Sequence, residues 1–203
     1  MPLHPCALAL DPAELLVRTE PDVSADAELL ARARAQDRAA LQALYARFAP
    51  GVGRFLRDLL GDSAAAADAT QETFVRAFRK LDTLRDDARL APWLFGIARH
   101  IYLEQRKSRR REAHEPPSDD ARIDGHTPEA ALLGNEVARV VAAALGALSE
   151  DKRTVLILRI DHHLAYDEIA QLMGWSLAKV KVEIHRAREV LRAALARYEE
   201  GQS

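Results

Sequence analysis

Residues 164–192 restrict the fold more than any other stretch of the chain, because they comprise two helical segments joined by a tight turn. Ala170 is small where two such helices would cross, Gly174 can adopt the positive φ of the turn, and Val180 can pack the second helix onto the first. Ser176 is a suitable N-cap for the second helix. This spacing predicts a helix-turn-helix, a motif that places its second helix in the major groove of DNA.

The second helix of this motif has basic side chains along the face that packing would leave exposed. They are Lys179, Lys181, His185, Arg186 and Arg188. Cationic side chains on such a helix bind phosphates and base edges, so DNA is the expected ligand.

The composition predicts an all-α fold. Alanine and leucine dominate the 203 residues, aromatic residues make up only 5%, and no sustained run alternates polar and β-branched residues. The apolar fraction of 48% is large enough for a packed core. Helices are therefore expected throughout, and no sheet.

Charge is distributed unevenly, although the formal net charge is only −2. Residues 99–111 contain six basic residues and one acid, whereas residues 112–129 contain six acids, one arginine and three prolines. A basic segment can lie along a nucleic-acid backbone, and an acidic, proline-containing segment is typical of an extended linker.

Two small helical domains are expected from the order of these segments. Residues 24–111 and 132–198 form the domains, residues 112–131 form a flexible acidic linker, and residues 1–23, with four prolines, form a flexible extension. In the first domain, Asp37 should cap a helix that ends before Pro50 and Gly51, and residues 64–81 should form a long helix with a buried apolar stripe. Pro92 fits the first turn of the next helix.

Several functional classes lack their sequence signals. No apolar run approaches the roughly 18 residues needed to span a bilayer, and no leader pattern is present, so a cytoplasmic location without membrane insertion is expected. The chain has no nucleophile elbow, phosphate loop or paired catalytic arrangement, so neither catalysis nor a cofactor is expected. The adjacent His162 and His163 have no partners at metal-ligand spacing, so no metal site is predicted.

Three motifs follow one another in a definite order along the chain. They are DATQETFVRAF at residues 68–78, WLFGIARH at residues 93–100 with basic residues after it, and YDEIAQLMGWSLAKVK at residues 166–181. With this order and these separations around an acidic segment, the chain resembles the extracytoplasmic-function (ECF) sigma factors, the smallest members of the bacterial sigma factor family that directs RNA polymerase to promoters. An unrelated helical protein has no reason to repeat this arrangement.

The resemblance implies that the first domain binds core RNA polymerase and opens the minus ten element. The edge that would dock on the clamp helices of the largest polymerase subunit consists of Asp68, Gln71, Glu72 and Arg76. The residues that would lie along the promoter backbone, where cations gain affinity without reading sequence, are Arg99, His100, Arg106 and Lys107. The loop at residues 82–89 would capture an unstacked base.

The resemblance also implies that the second domain reads the minus thirty-five element. Its readers would be Lys179, Lys181, Val182, His185 and Arg186. Val182 and Glu183 stand where the family usually has a small polar residue and an arginine, and a carboxylate there either repels phosphates or accepts a hydrogen bond from a cytosine amino group. Ala165 replaces the serine usual before the preceding helix, which removes a cap worth about 1 kcal/mol.

The implied partners are core polymerase, promoter DNA and an anti-sigma factor, and two other functions fit parts of the sequence. A helix-turn-helix repressor or activator would bind duplex DNA alone, as a dimer on paired half-sites, and would not need the edge at residues 68–76. A sigma-like adaptor would bind polymerase without initiating transcription, an alternative that Val182 and Glu183 leave open. Promoter opening with core polymerase distinguishes the sigma factor from both.

Overall fold

The computed structural model describes residues 23–85, 89–112 and 136–201, which form two helical bundles. The first bundle contains α1 (Val23–Arg34), α2 (Arg38–Leu60), α3 (Ser63–Arg79) and α4 (Leu90–Glu112), with a 3-10 turn at Leu81–Thr83. The second contains α5 (Glu136–Gly146), α6 (Glu150–Ile160), α7 (Tyr166–Met173) and α8 (Leu177–Glu200). No strand occurs within these ranges, and the predicted all-α fold is confirmed.

Two predicted segments lie almost wholly outside the described residues. They are the N-terminal extension at residues 1–23, of which only Val23 is described, and the acidic linker at residues 112–131, of which only Glu112 is described.

Side-chain caps define the start of α2 and of α3. Asp37 accepts a hydrogen bond from the N–H of Ala39 at 2.8 Å, and Asp62 accepts one from the N–H of Ala64 at 2.9 Å. Between the two helices, Gly61 ends α2 in the left-handed conformation with φ of 66°. These bonds satisfy amide donors that the first turn of a helix leaves unpaired, so short polar sequences set the boundaries.

The predicted helix break at Pro50 is wrong, because α2 continues through Pro50 and Gly51 as one helix. A proline in a helix interior lacks the N–H donor and crowds the preceding turn, which costs about 3 kcal/mol. Val52 and Phe55, each at most 1% exposed, follow the proline and share the core with Leu44 before it. Burial of each such side chain contributes about 1.5–3 kcal/mol, so tertiary packing outweighs the local break.

The two bundles share a continuous hydrophobic core. α2, α3 and α4 pack on one another, and α5, α6 and α7 all pack on α8. The bundles meet where α4 contacts α7 and α2 contacts α6, and buried residues such as Phe95, Leu158 and Ile169 belong to a single cluster. The two predicted domains are therefore in direct contact in the structure.

Candidate functional site

The residues predicted to frame the helix-turn-helix occupy their expected places. Gly174 ends α7 with φ of 66°, and the N–H of Lys179 donates to the Oγ of Ser176 at 3.2 Å to cap α8. Ala170 and Val180 are buried at the crossing of α7 and α8. The predicted motif is therefore present, and its geometry sets the direction in which α8 leaves the turn.

The start of α7 compensates in part for the missing cap at Ala165. The carboxylate of Glu168 accepts a hydrogen bond from the N–H of Ala165 at 2.6 Å. This is the reciprocal half of a capping box, in which the third helical residue reaches back to the residue before the helix. The helix thus keeps one of the two bonds that a serine would have provided.

All five predicted readers of DNA lie on the exposed side of α8. They are Lys179, Lys181, Val182, His185 and Arg186. The opposite side of the helix carries Val180, Ile184 and Ala187, each at most 1% exposed. Val182 is 44% exposed and gives this cationic surface an apolar patch. The side chains that the sequence grouped by spacing therefore come together in the fold.

Lys179 is held by an aromatic contact near the beginning of α8. Its ammonium nitrogen lies 3.7 Å from the centre of the Trp175 ring, a cation–π arrangement. Because Trp175 belongs to the turn before α8, this contact holds the ammonium group of Lys179 near the N-terminal end of the helix. That end is the part of a recognition helix that contacts base edges.

Glu183 differs from the expectation that its carboxylate faces the DNA. Its side chain is only 13% exposed, and the carboxylate lies 4.0 Å from Lys152 Nζ of α6 and 3.0 Å from Arg186 Nη1. Two cations therefore compensate the negative charge at the border between α6 and α8. The tertiary partner Lys152, 31 positions earlier in the sequence, could not be read from the spacing within α8.

Three of the four residues predicted to bind polymerase are exposed along α3: Asp68, Gln71 and Glu72. Val75, which was not among the predicted residues, is 42% exposed and lies on the same side of the helix. Its signal was present, because Val75 is an apolar residue that falls outside the buried stripe containing Phe74 and Ala77. We call Asp68, Gln71, Glu72 and Val75 the α3 edge.

Arg76 lies beside the α3 edge and connects α3 to α4. Its Nε lies 2.7 Å from Glu72 Oε1, and its Nη1 lies 2.7 Å from Glu104 Oε2. Hydrogen bonds to Glu72 and then to Glu104 raise the pKa of Arg76, and the Arg76 guanidinium lowers the pKa of the Glu104 carboxyl group. Arg76 is thus an ion-pair bridge between two helices, in contrast to its three exposed companions.

The four basic residues predicted along the promoter backbone divide into two pairs on α4. His100 and Lys107 are exposed, and His100 Nε2 lies 3.0 Å from Glu104 Oε1. Arg99 and Arg106 are largely covered and face the second bundle. Residues seven apart share one side of a helix, whereas adjacent residues differ by about 100°, which explains the division.

His162 takes part in the contact between the bundles. The centre of its ring lies 4.5 Å from that of Phe95 and 5.9 Å from that of Phe55. Burial, with smaller effects from Arg54 and His163, lowers the pKa of His162 to about 4. Among the described residues, no group of three His, Cys, Asp or Glu side chains is arranged to hold a metal ion.

None of the helices in the described ranges combines the length and the apolar character that crossing a membrane requires.

Known proteins similar to this chain are sigma factors. Residues 44–112 match the family Sigma-70 region 2, and residues 138–191 match the family Sigma-70, region 4. The RNA polymerase sigma-H factor of Pseudomonas aeruginosa is 30% identical over 180 residues, which cover 84% of this chain and 93% of that protein. The ECF RNA polymerase sigma factor EcfG of Rhodopseudomonas palustris is 32% identical over 147 residues, which cover 72% of this chain and 80% of that protein.

A solved complex has a similar fold. The sigma factor RpoE in complex with the anti-sigma factor NepR, from Bartonella quintana, matches with a TM-score of 0.62 and 25% identity. The match covers 76% of this chain and 96% of that chain.

Proposed function

The chain belongs to the ECF sigma factors, subunits that bind core RNA polymerase and direct it to promoters, and we propose that three of its surfaces divide this work. The α3 edge contacts the clamp helices of the polymerase. The exposed side of α4 lies along the DNA beside the minus ten element, and the exposed side of α8 reads the minus thirty-five element. This division follows the two domains predicted at residues 24–111 and 132–198.

The α3 edge has the chemistry of a protein-binding surface. Its polar members, Asp68, Gln71 and Glu72, lie around Val75, which is 42% exposed. Helix-on-helix docking would bury this apolar centre within a polar rim, the usual anatomy of an interface. Arg76 supports the surface from one side, since its ion pairs with Glu72 and Glu104 set the position of α3 against α4.

The exposed side of α4 supplies cations to the promoter backbone. His100 and Lys107 lie on this side, seven positions apart, so they can follow consecutive phosphates of one strand. Arg99 and Arg106 lie on the neighbouring side, where carboxylates of the second bundle pair with them. They join the DNA-binding surface when these carboxylates are withdrawn.

The exposed side of α8 combines positioning and base-reading groups. Lys179, Lys181 and Arg186 provide charge for phosphates and donors for guanine edges. Val182, exposed in the middle of this side, is suited to contact the methyl group of a thymine. Glu183 is held by Lys152 and Arg186, so we give it no direct role in reading bases.

Three further assignments accompany this function. The polymerase performs the chemistry, and this chain contributes recognition and no catalytic residue. The chain acts in the cytoplasm, where core polymerase and promoter DNA are found. Since its structural relative binds an anti-sigma factor, an anti-sigma factor is also the proposed regulatory partner here. Isolation of the chain from uninduced cells without such a protein would contradict the last assignment.

The proposal rests most directly on the exposed side of α8, where the five residues predicted to read DNA lie on the second helix of a helix-turn-helix. Its test mixes the purified chain with sigma-free bacterial core polymerase and maps transcript 5′ ends on a pool of genomic DNA. Starts that share two upstream sequence motifs are expected. Stable core binding without starts would identify an adaptor, and duplex binding without core binding would identify a repressor or activator.

A further inference from the structure

A cleft of about 930 Å³ lies between the end of α3, the beginning of α4 and α7. We call it the α3–α7 cleft. Its lining includes Arg79, Lys80 and Arg85 from the end of α3 and the segment after it, Trp93 and Gly96 of α4, and Leu172 of α7. Pockets of about 300–1,000 Å³ hold molecules the size of a cofactor, so an inorganic ion alone would fill only a small part of this space.

Three cations of the cleft are not neutralised by the protein. Arg79, Lys80 and Arg85 are exposed, and within the described ranges none of them forms an ion pair. The C-terminal end of α3 favours cations through the helix dipole, which accounts in part for Arg79 and Lys80, but Arg85 lies beyond that end. Cations gathered around one cleft attract a polyanion.

The carboxylates that line the cleft already have partners. Glu104 Oε2 lies 2.7 Å from Arg76 Nη1, and Glu168 accepts a hydrogen bond from the N–H of Ala165 at 2.6 Å. In total, five arginine or lysine side chains line the cleft against these two carboxylates. The excess positive charge therefore favours an anionic ligand over a neutral or cationic one.

Apolar side chains form another part of the lining. Pro92, Trp93 and Ile97 of α4 and Leu172 of α7 are each only partly buried there. An indole beside aliphatic side chains offers a surface on which a flat ring can stack. The cleft thus combines a stacking surface with unpaired cations, the two features that bind a base and its phosphates.

Gly96 leaves space in the part of the cleft that α4 forms. It lies inside the helix, where glycine is less favourable than alanine. A Cβ added at Gly96 would meet no atom within 4 Å apart from its own helical backbone. Packing therefore does not require a glycine at this position, and the missing side chain keeps the surface beside Trp93 open.

We propose that the α3–α7 cleft binds a free nucleoside diphosphate or triphosphate, with its phosphates on Arg79, Lys80 and Arg85 and its base against Trp93. Guanidinium and ammonium groups form strong charge-assisted hydrogen bonds with phosphate oxygens. A free nucleotide is favoured over a promoter base, because bases in duplex DNA are stacked and must first be unstacked to enter a pocket. Leu172 of the second bundle completes the site, so the ligand contacts both bundles.

The cleft also borders the loop predicted to capture an unstacked base. Arg85 and Arg89 belong to that loop and line the cleft, and Arg89 donates a hydrogen bond to the side-chain carbonyl of Gln171 on α7. A bound nucleotide would compete with the unstacked base for this space. That consequence rests on the proposed function, whereas the binding site itself does not.

Fluorescence of Trp93 measures binding at the cleft directly. The chain has two tryptophans, and Trp175→Phe leaves Trp93 as the only one. The full chain with this substitution is titrated with ATP and with GTP in buffer without divalent cations. Tripolyphosphate and adenosine, which represent the two halves of the ligand, are measured by their displacement of ATP. ATP or GTP should quench Trp93 and bind at least about tenfold more tightly than either half, because each half lacks one set of contacts.

Two variants with matched controls locate the bound nucleotide. Arg79→Ala with Arg85→Ala should weaken binding by about tenfold or more, whereas Arg192→Ala with Arg197→Ala removes the same charge from exposed positions of α8 outside the cleft and should not. Gly96→Leu should fill the cleft and weaken binding to a similar extent, whereas Gly96→Ala adds only a Cβ and should keep most of the affinity. Helical circular dichroism and unfolding temperatures verify the fold of each variant.

Four results would overturn the inference. They are the absence of saturable quenching by ATP and GTP, an equal loss of affinity in the α8 double variant, full affinity in Gly96→Leu, and tighter binding of a short single-stranded oligothymidylate than of ATP. The last result would identify the cleft as a site for a nucleic-acid strand. Absence of transcript starts from the unmodified chain, with nucleotide binding as expected, would count against the proposed function and leave this site intact.

Discussion

Arg76 of α3 and Glu104 of α4 form an ion pair with 2.7 Å between Nη1 and Oε2. The same guanidinium reaches Glu72 on the α3 edge, so one cation connects the surface proposed for polymerase to the helix proposed for DNA. The Arg76 side chain is 32% exposed and that of Glu104 is 47% exposed, so water weakens the pair. The position of α3 against α4 therefore depends in part on a contact of modest strength.

Replacing Arg76 should destabilise the first bundle slightly. Arg76→Met removes both ion pairs and should lower the free energy of unfolding by about 1 kcal/mol, because partly exposed pairs contribute less than about 1 kcal/mol each. Glu104→Gln removes the pair with Arg76 and weakens the exposed contact with His100, and it should cost about half as much. Urea unfolding of both single variants and the double variant measures the coupling, for which we expect about 0.5 kcal/mol. A coupling of zero would show that this pair does not hold the helices together.

Changes on the α3 edge should reduce polymerase binding without affecting the fold. Val75→Ser should weaken binding to core polymerase by about tenfold, because the interface would no longer bury the apolar valine side chain. Gln71→Lys combined with Glu72→Lys should abolish binding. Glu28→Lys, an exposed charge reversal on α1, serves as the control. Affinities measured by fluorescence anisotropy, with unchanged helical circular dichroism, would support the docking surface; full affinity of the double variant would remove it.

Loss of cations from α8 should weaken promoter binding and leave polymerase binding unchanged. Lys181→Ala and Arg186→Ala should each lower the slope of log affinity against log salt by about one when a phosphate contact is lost. Arg192→Ala is the matched control, because Arg192 is exposed farther along α8 and pairs with Glu189 at 2.6 Å. Equal losses of promoter and polymerase binding would contradict the division of labour between the domains.

Substitutions at Val182 and Glu183 should differ in their effect on promoter choice. Val182→Ser should alter the preferred base at one position of the minus thirty-five element, with a discrimination change of about 1 kcal/mol or more. Glu183→Gln should leave base preference unchanged, because its carboxylate is directed toward Lys152 and Arg186. Selection from a randomised minus thirty-five library measures both effects. A changed motif in Glu183→Gln would return this residue to the DNA surface.

Signals that act within a few residues predicted the local structure well. Asp37 and Ser176 cap helices where the sequence placed them, and Gly174 adopts the positive φ of the predicted turn. Each of these features depends on one side chain and its neighbouring amides, so short sequence windows contain the necessary information. The exposed side of α8 was predictable for the same reason, since helical periodicity alone groups its residues.

Features that depend on distant partners could not be predicted from local sequence. The continuation of α2 through Pro50 requires the core that surrounds Val52 and Phe55, and the inward orientation of Glu183 requires Lys152 of another helix. The contact between the bundles likewise pairs Arg106 with Glu150, 44 positions apart, and such a pair leaves no periodic pattern. The sequence therefore predicted the basic residues of α4 as a group but not their division into covered and exposed pairs.

Acid should open the contact between the domains through His162. Burial, with smaller effects from Arg54 and His163, lowers the pKa of His162 to about 4, whereas an exposed imidazole has a pKa of about 6.5. Above pH 6.5 the ring is neutral in both arrangements, so the closed state keeps its full stability. As the pH falls from 6.5 toward 4, the open arrangement binds a proton that the closed one excludes, and the closed state is progressively lost.

One of the other charged groups near His162, the Asp161 carboxyl group, opposes this effect. Arg54 on α2 and His163 beside the ring both disfavour the proton in the closed state, while Phe95 and Phe55 carry no charge. Burial raises the pKa of Asp161 above its ordinary value of 3.8, so protonation of this carboxyl group favours closure as the pH falls through the raised value. Opening should therefore dominate where His162 titrates in the open arrangement and Asp161 stays ionised.

This pH dependence can be measured by double electron–electron resonance in a chain with Cys6→Ser, with spin labels attached through Glu28→Cys on α1 and Ala193→Cys on α8. Between pH 7.5 and pH 5.5 the open population should rise severalfold relative to the closed one, with a limit of about tenfold per pH unit that partial exposure of the ring reduces. His162→Phe keeps an aromatic ring against Phe95 and cannot titrate, so its distance distribution should not change over this interval. A pH response of equal size in both chains would assign the opening to other groups, and no response in the unmodified chain would show that His162 stays in contact when protonated.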